Sequence, residues 1–245
     1  MCTVVYIPHL GKHFFASLRD EDPQRASTVP RFYQDGKSGF IAPVDPVAGG
    51  TWFGVSSFGT VVILLNGAFH DHVKHLTYRR SRGLIVKELL QSAMPVVDWL
   101  LMDLDGIEPF TLVVFENEHL FQLVWDGKLK NRLMLDGTKP QIWSSSTLYD
   151  QKAKTLRADL FAGWMDKEPA ISSDSLLEFF RNVQDDVNGF IMHRNEKLKT
   201  LSYTFAALEV TNSVQVKYTD FIHPSVHTID LSLVSAQPSC DLFNA

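Results

Sequence analysis

Cys2-Thr3-Val4-Val5-Tyr6-Ile7-Pro8-His9-Leu10-Gly11-Lys12-His13-Phe14-Phe15-Ala16-Ser17-Leu18 follows Met1. Two strand-like runs, residues 3–7 and 14–18, flank Gly11, which can supply a turn. An antiparallel hairpin of this kind returns the far end of its second strand to the start of the first. That end continues into Arg19-Asp20-Glu21-Asp22, so the hairpin sets a charge cluster beside Cys2. Methionine ahead of a small residue is normally trimmed, and cysteine qualifies. Trimming would leave a thiol and a free α-amine on one residue. An α-amine has a pKa of about 7.7–8.0, against about 10.4 for lysine, so near neutrality it can accept the thiol proton. Nucleophile activation by an N-terminal amine is an established covalent-catalysis arrangement. The plain alternative is a small apolar residue at a chain end.

The rest of the chain reads as alternating groups of strands and helices. Residues 20–46, rich in Pro, Asp, Gly and Ser, read as a long loop with little regular structure. Gly49-Gly50 opens a hairpin of residues 51–56 and 60–65 around Ser57-Phe58-Gly59. Its second strand is apolar from Val61 to Leu65, which predicts cover on both faces. Ser81 can cap a helix over 82–92 that carries Leu84, Ile85, Leu89 and Leu90 on one face. Pro95 suits the first turn of a second helix running to about residue 104. Strands at 110–115, 120–125 and 129–135, the last after an Asp126-Gly127 turn, predict a meander. Helices follow at 148–164, with Leu156, Leu160, Phe161 and Trp164 on one side, and at 175–183, with Ser175 and Glu178 as a capping box. Strands at 190–193, 200–209 and 213–218 end the pattern. Without a βαβ rhythm, the order predicts a mainly antiparallel α+β layered fold, one domain over residues 1–245.

Of the 245 residues, 45% are hydrophobic and 21% charged, the profile of a soluble globular protein. The net charge is −5 and Lys and Arg form no stripe, which argues against a nucleic-acid partner. No apolar run reaches the roughly 18 residues of a membrane span. There is no basic-then-apolar leader. Cys2 and Cys240 are the only cysteines, too few and too far apart for a disulfide framework or zinc site. A reducing, cytoplasmic setting is the expectation.

Within the charge cluster, Arg19 could stabilise a thiolate or an acyl carbonyl, and a neighbouring carboxylate could hold the α-amine. Asn66, at the end of the buried strand before Gly67, is either a turn residue or an amide donor for an oxyanion. His70, Asp71, His72 and His75 lack helical metal-ligand spacing and read as a polar loop lining a pocket; no metal is expected. Arg79, Arg80 and Arg82 stand at a helix start, either as a basic surface turn or as an anion-attracting group. No G-x-S-x-G elbow, P-loop or dinucleotide fingerprint occurs.

Met1-Cys2, Leu18-Arg19-Asp20-Glu21, Gly49-Gly50-Thr51-Trp52-Phe53-Gly54-Val55, Leu64-Leu65-Asn66 and Ser81-Arg82-Gly83 together resemble the NRDE family, which includes the Transport and Golgi organisation 2 proteins. That family in turn is similar to the cysteine N-terminal nucleophile hydrolases, such as penicillin V acylase and bile salt hydrolase. The resemblance implies a four-layer αββα sandwich and hydrolysis of a small non-peptide amide through a thioester. In that frame Cys2 is the nucleophile, and its own amine is the base. Arg19 supports the thiolate and the carbonyl. Asp20 orients the amine, with Asp22 as substitute, and Asn66 contributes to the oxyanion pocket. Trp52, Phe53 and Phe69 suggest an apolar acyl part. The chain departs from the family pattern at Leu18 in place of the leading asparagine. It also has Ser145 where a second asparagine is expected and Lys199 where a late arginine is. Serine has shorter reach, and lysine lacks the bidentate fork. The alternative is a non-catalytic ligand-binding or trafficking protein on the same scaffold. No cofactor is required; haem enters only through the family's eukaryotic members, with Cys2, His70, His72 or His75 as candidate axial ligands.

Overall fold

The computed structural model describes residues 3–35, 38–73, 75–183, 189–209 and 212–234. Its strands are β1 (Thr3–His9), β2 (Lys12–Glu21), β3 (Arg31–Asp35), β4 (Ser38–Ala42), β5 (Phe53–Ser56), β6 (Val61–Asn66), β7 (Phe110–Glu116), β8 (His119–Trp125), β9 (Lys130–Leu135), β10 (Gln141–Ser144), β11 (His193–Asn195), β12 (Leu198–Glu209), β13 (Ser213–Asp220) and β14 (Ser225–Ser232). Its helices are α1 (Arg82–Gln91), α2 (Pro95–Leu101), α3 (Gln151–Met165) and α4 (Ser173–Asn182). One sheet runs β10-β1-β2-β12-β13-β14, with β11 added on β12; the other runs β3 to β9 in sequence order. Each strand pairing is antiparallel.

The period-two alternation of β1, β2 and β12 sorts their side chains into two cores. Val4, Tyr6, Phe15 and Ala206 meet Val61, Ile63, Val113 and Phe115 of the other sheet. Val5, Ile7, Phe14, Ala16, Leu18 and Tyr203 turn outward onto Phe161 of α3 and Leu176, Phe179 and Phe180 of α4. On the far side of the second sheet, α1 lays Ile85, Val86, Leu89 and Leu90 onto the same core as β5 and β6. Helices, sheet, sheet, helices: the four expected layers are present. Each fully buried Phe or Leu in these cores is worth about 1.5–3 kcal/mol relative to exposure.

The hairpin of β1 and β2 turns through Leu10 and Gly11, both at positive φ, and its register carries Thr3 onto Leu18. Residues Val61 to Leu65 are buried on both faces, as their unbroken apolar run requires. Several expectations are corrected. Residues 20–46 contain the hairpin of β3 and β4, hidden in the sequence because an edge strand keeps polar residues and leaves Phe32 41% exposed. Strands β10 and β14 were not expected; β14 alternates exposure along its whole length. Helix α3 starts at Gln151, where the Asp150 carboxylate accepts from Ala153 N–H, and buries Ala153, Arg157 and Phe161. Leu156 faces out because that inner seam carries an arginine, which apolar periodicity cannot detect. Helix α4 is capped by a Ser172–Ser175 box, three residues before the Ser175–Glu178 pair expected to do so.

Candidate active site

The site is built at one end of the space between the sheets, where β2, β6 and β10 finish. Arg19, near the end of β2, is 3% exposed and shares the inter-sheet face with Ser17. Its Nη1 donates to the Arg25 carbonyl at 2.6 Å, and its Nη2 donates to Asp45 Oδ2 at 3.2 Å. The guanidinium carbon lies 4.5 Å from the centre of the Trp52 ring, a stacked arrangement worth about 2 kcal/mol when desolvated. Burial pulls the Arg19 guanidinium below its ordinary pKa, and Glu21 and Asp45 counter that pull. It remains cationic because arginine starts so high.

Asp45 is the residue that sequence reasoning missed. Its Oδ1 accepts from the Val47 and Ala48 N–H groups at 3.0 and 3.2 Å, an Asx turn that closes the loop before Gly49. Its Oδ2 accepts from both Arg19 and Arg25. The signal in the sequence was the turn-forming Asp45-Pro46 pair, but nothing local named its partner. Asp45→Ala would leave the buried Arg19 guanidinium without its carboxylate, while the more exposed Arg25 keeps Glu21. We expect a loss of about 3–5 kcal/mol, the usual cost of orphaning one member of a buried ion pair, read as a lower urea midpoint.

Asp20 points to the opposite face of β2, toward the helix layer. It is 3% exposed, its Oδ1 accepts from the Thr200 hydroxyl at 2.6 Å, and the Tyr149 hydroxyl stands 3.5 Å from Oδ2. Tyr149 is in turn stacked against the guanidinium of Arg157 at 3.9 Å and flanked by that of Arg194 at 5.1 Å. Asp22, the substitute candidate, instead accepts from the Gln24 N–H in a local turn.

Asn66 closes β6. Its backbone carbonyl accepts from the Ser145 hydroxyl at 2.8 Å, which ties the end of one sheet to the end of the other. Gly67 follows at φ +81°, where an added Cβ would strike Ser146 Oγ at 2.3 Å. Asn66 lines two adjoining clefts. One is a polar crevice shared with Arg19, Trp52 and Arg82. The other, of about 400 Å³, runs between β10, α3 and the end of β6 and contains Phe69 and Ser145. Phe69 is 48% exposed at its rim.

Cys2 lies outside the described residues. Lys199 pairs with Glu21 in the β2–β12 ladder, and its ammonium is engaged by the exposed Glu196 at 2.9 Å. Of the three arginines at the helix start, Arg79 and Arg80 form exposed pairs with Asp103 and Glu88. Arg82 is the inward one, ion-paired to Glu108 at 2.9 Å, and burial lowers its pKa against the pull of that carboxylate. His72 Nε2 lies 3.3 Å from the other oxygen of Glu108, with no hydrogen bond between them. Among the described residues, no three His, Cys, Asp or Glu side chains gather around a possible metal position, and no helix is long and apolar enough to cross a membrane.

Two facing antiparallel sheets between helical layers, with the N-terminal strand inside one sheet, define the fold of the N-terminal nucleophile hydrolases. Solved structures agree. An N-acylethanolamine-hydrolyzing acid amidase ortholog from Caenorhabditis elegans superposes with a TM-score of 0.59 at 11% identity, covering 83% of this chain and 92% of that one. A conjugated bile acid hydrolase from Clostridium perfringens superposes with a TM-score of 0.59 at 12% identity, covering 94% of this chain and 92% of the other. No curated protein matches by sequence. The profile of the Transport and Golgi organisation 2 family matches residues 1–228. The chain belongs to that family.

Proposed function

We propose that the protein is an N-terminal cysteine nucleophile hydrolase that cleaves a small non-peptide amide through a thioester. One observation carries the reading. Thr3 pairs with Leu18 on one side and Ser144 on the other. Arg19 and Ser145 are the next residues along those two partners, and a covalent step of about 3.8 Å is all that joins residue 2 to Thr3. The chemistry then follows from the residues around that point. The thiol of Cys2 gives its proton to its own α-amine as sulfur attacks the amide carbon. Arg19 stabilises the thiolate. The Asn66 amide faces the developing oxyanion, a contribution of about 3–4 kcal/mol in sites of this kind. Collapse breaks the C–N bond, and the α-ammonium returns its proton to the departing amine. Water then hydrolyses the thioester. Asp20, anchored by Thr200, holds the α-amine.

Fold similarity to amidases supports the reaction class. One contact favours the rival reading, ligand binding without turnover: the Ser145 hydroxyl is already committed to the Asn66 carbonyl. Intact-mass measurement of the purified chain separates the two. Loss of Met1, followed by an acyl-sized mass gain on exposure to an activated acyl donor, is the expected result. A chain that lacks Met1 yet gains no mass would leave the binding reading standing instead.

A further inference from the structure

The cleft beside Asn66 is furnished with donors and lacks acids. Of its seventeen described lining residues, Lys154 alone is charged. Lys154 lies in the second turn of α3, half-buried, and forms no ion pair with any described carboxylate. Burial lowers its pKa, with no acidic neighbour to raise it. Ser146 Oγ is buried there without a hydrogen-bond partner. Gln122 Oε1 accepts the Trp143 indole N–H at 2.8 Å. Because an indole nitrogen only donates, this contact fixes the Gln122 amide orientation and leaves its NH₂ as a donor. Behind Ser144, another lining residue, stands the buried guanidinium of Arg157, with Nη1 3.5 Å from the hydroxyl. The polar crevice on the other side of Asn66 differs, because each of its arginines already has a carboxylate.

We propose that this cleft seats an anionic group, a carboxylate or a phosphoryl group, carried by one arm of the substrate, with Lys154 as its counter-ion and the specificity-determining residue. The unpaired ammonium supplies charge, while Ser146 and Gln122 supply neutral hydrogen bonds. Trp143 and Phe69 give the arm an aromatic wall. The distance from Asn66 to Lys154 is spanned within one cleft of about 400 Å³, room for a ligand of modest size. The inference rests on the hydrolase reading only in calling the ligand a substrate.

Equilibrium binding tests it without turnover. The full chain carrying Cys2→Ala is titrated with adipic acid monoanilide and its methyl ester, and with 4-(hexanoylamino)benzoate and its methyl ester. The two pairs put the charge on the acyl or the amine arm. In one pair the acid is expected to bind at least tenfold more tightly than its ester. Lys154→Met should reduce that ratio to near one, and Lys154→Arg should retain it. The phosphonate counterpart of the preferred acid then distinguishes a carboxylate from a phosphoryl seat. Equal binding of acid and ester in both pairs, or a preference that survives Lys154→Met, overturns the proposal. Thioester formation by the unmodified chain is read separately. An adduct without charge preference sinks this inference alone, and charge preference without an adduct sinks the hydrolase reading alone.

Discussion

Cys2→Ala is expected to abolish the acyl adduct and to lower amide hydrolysis by about 10⁴-fold or more, the scale seen when a covalent nucleophile is removed. The size follows from what the substitution takes away. Alanine leaves the α-amine, Arg19, Asp20 and Asn66 in place, so any residual rate reports binding and oxyanion stabilisation alone. Stability should hardly change, because the substitution removes a single sulfur and adds no atom. Cys2→Ser should acylate more slowly, since a hydroxyl is a poorer proton donor to an amine of pKa about 7.7–8.0. The control is Cys240→Ala, because Cys240 is the only other cysteine in the chain. If Cys240→Ala loses the adduct and Cys2→Ala keeps it, the acylated group is an incidental thiol and the proposed mechanism is wrong.

The sequence showed best what local pattern encodes. The β1–β2 hairpin, the doubly covered β6 and the Ser81 cap of α1 each have a signal within a dozen residues. The cap is seen directly, with the Ser81 hydroxyl accepting from Gly83 N–H. The same hairpin logic brought the end of β2 to the start of β1, so the approach of Leu18 to Thr3 was legible in advance. What escaped was long-range or buried-polar. Asp45 is 26 positions from the arginine it pairs with, and loop closure leaves no periodic trace. Thr200 reaches Asp20 across 180 positions. Arg157 breaks the apolar face of α3, and its burial becomes intelligible only with Tyr149 and Phe190 stacked against its guanidinium. Short or edge strands such as β3 and β10 carry so few buried positions that turn-like composition masks them.

Two of the sequence motifs that point to the family meet each other in space, which leads to the second large effect. Thr51 N–H donates to the Gly83 carbonyl at 3.0 Å, joining Gly49-Gly50-Thr51-Trp52 to Ser81-Arg82-Gly83. A Cβ added at Gly83 would sit 2.8 Å from Thr51 O and 2.9 Å from Thr51 N. One added at Gly50 would sit 2.5 Å from Gly83 C and 2.7 Å from Gly83 Cα. These neighbours are backbone, so no rotamer change relieves the clash, and α1 must lift from β5 and β6. An alanine inside a helix ordinarily gains about 1 kcal/mol over glycine. Here overpacking should reverse the sign: Gly83→Ala or Gly50→Ala is expected to destabilise by about 2–4 kcal/mol, or roughly 5–15 °C in Tm for a chain of this size. Arg82, next to Gly83 and lining the crevice with Arg19, would shift with the helix. Gly163→Ala is the matched comparison, since a Cβ there, within α3, meets nothing within 4 Å. That change should leave Tm unchanged or raise it. If calorimetry found Gly83→Ala and Gly163→Ala alike, the close approach of α1 to the Gly50–Thr51 backbone would not be what seats this helix over the site.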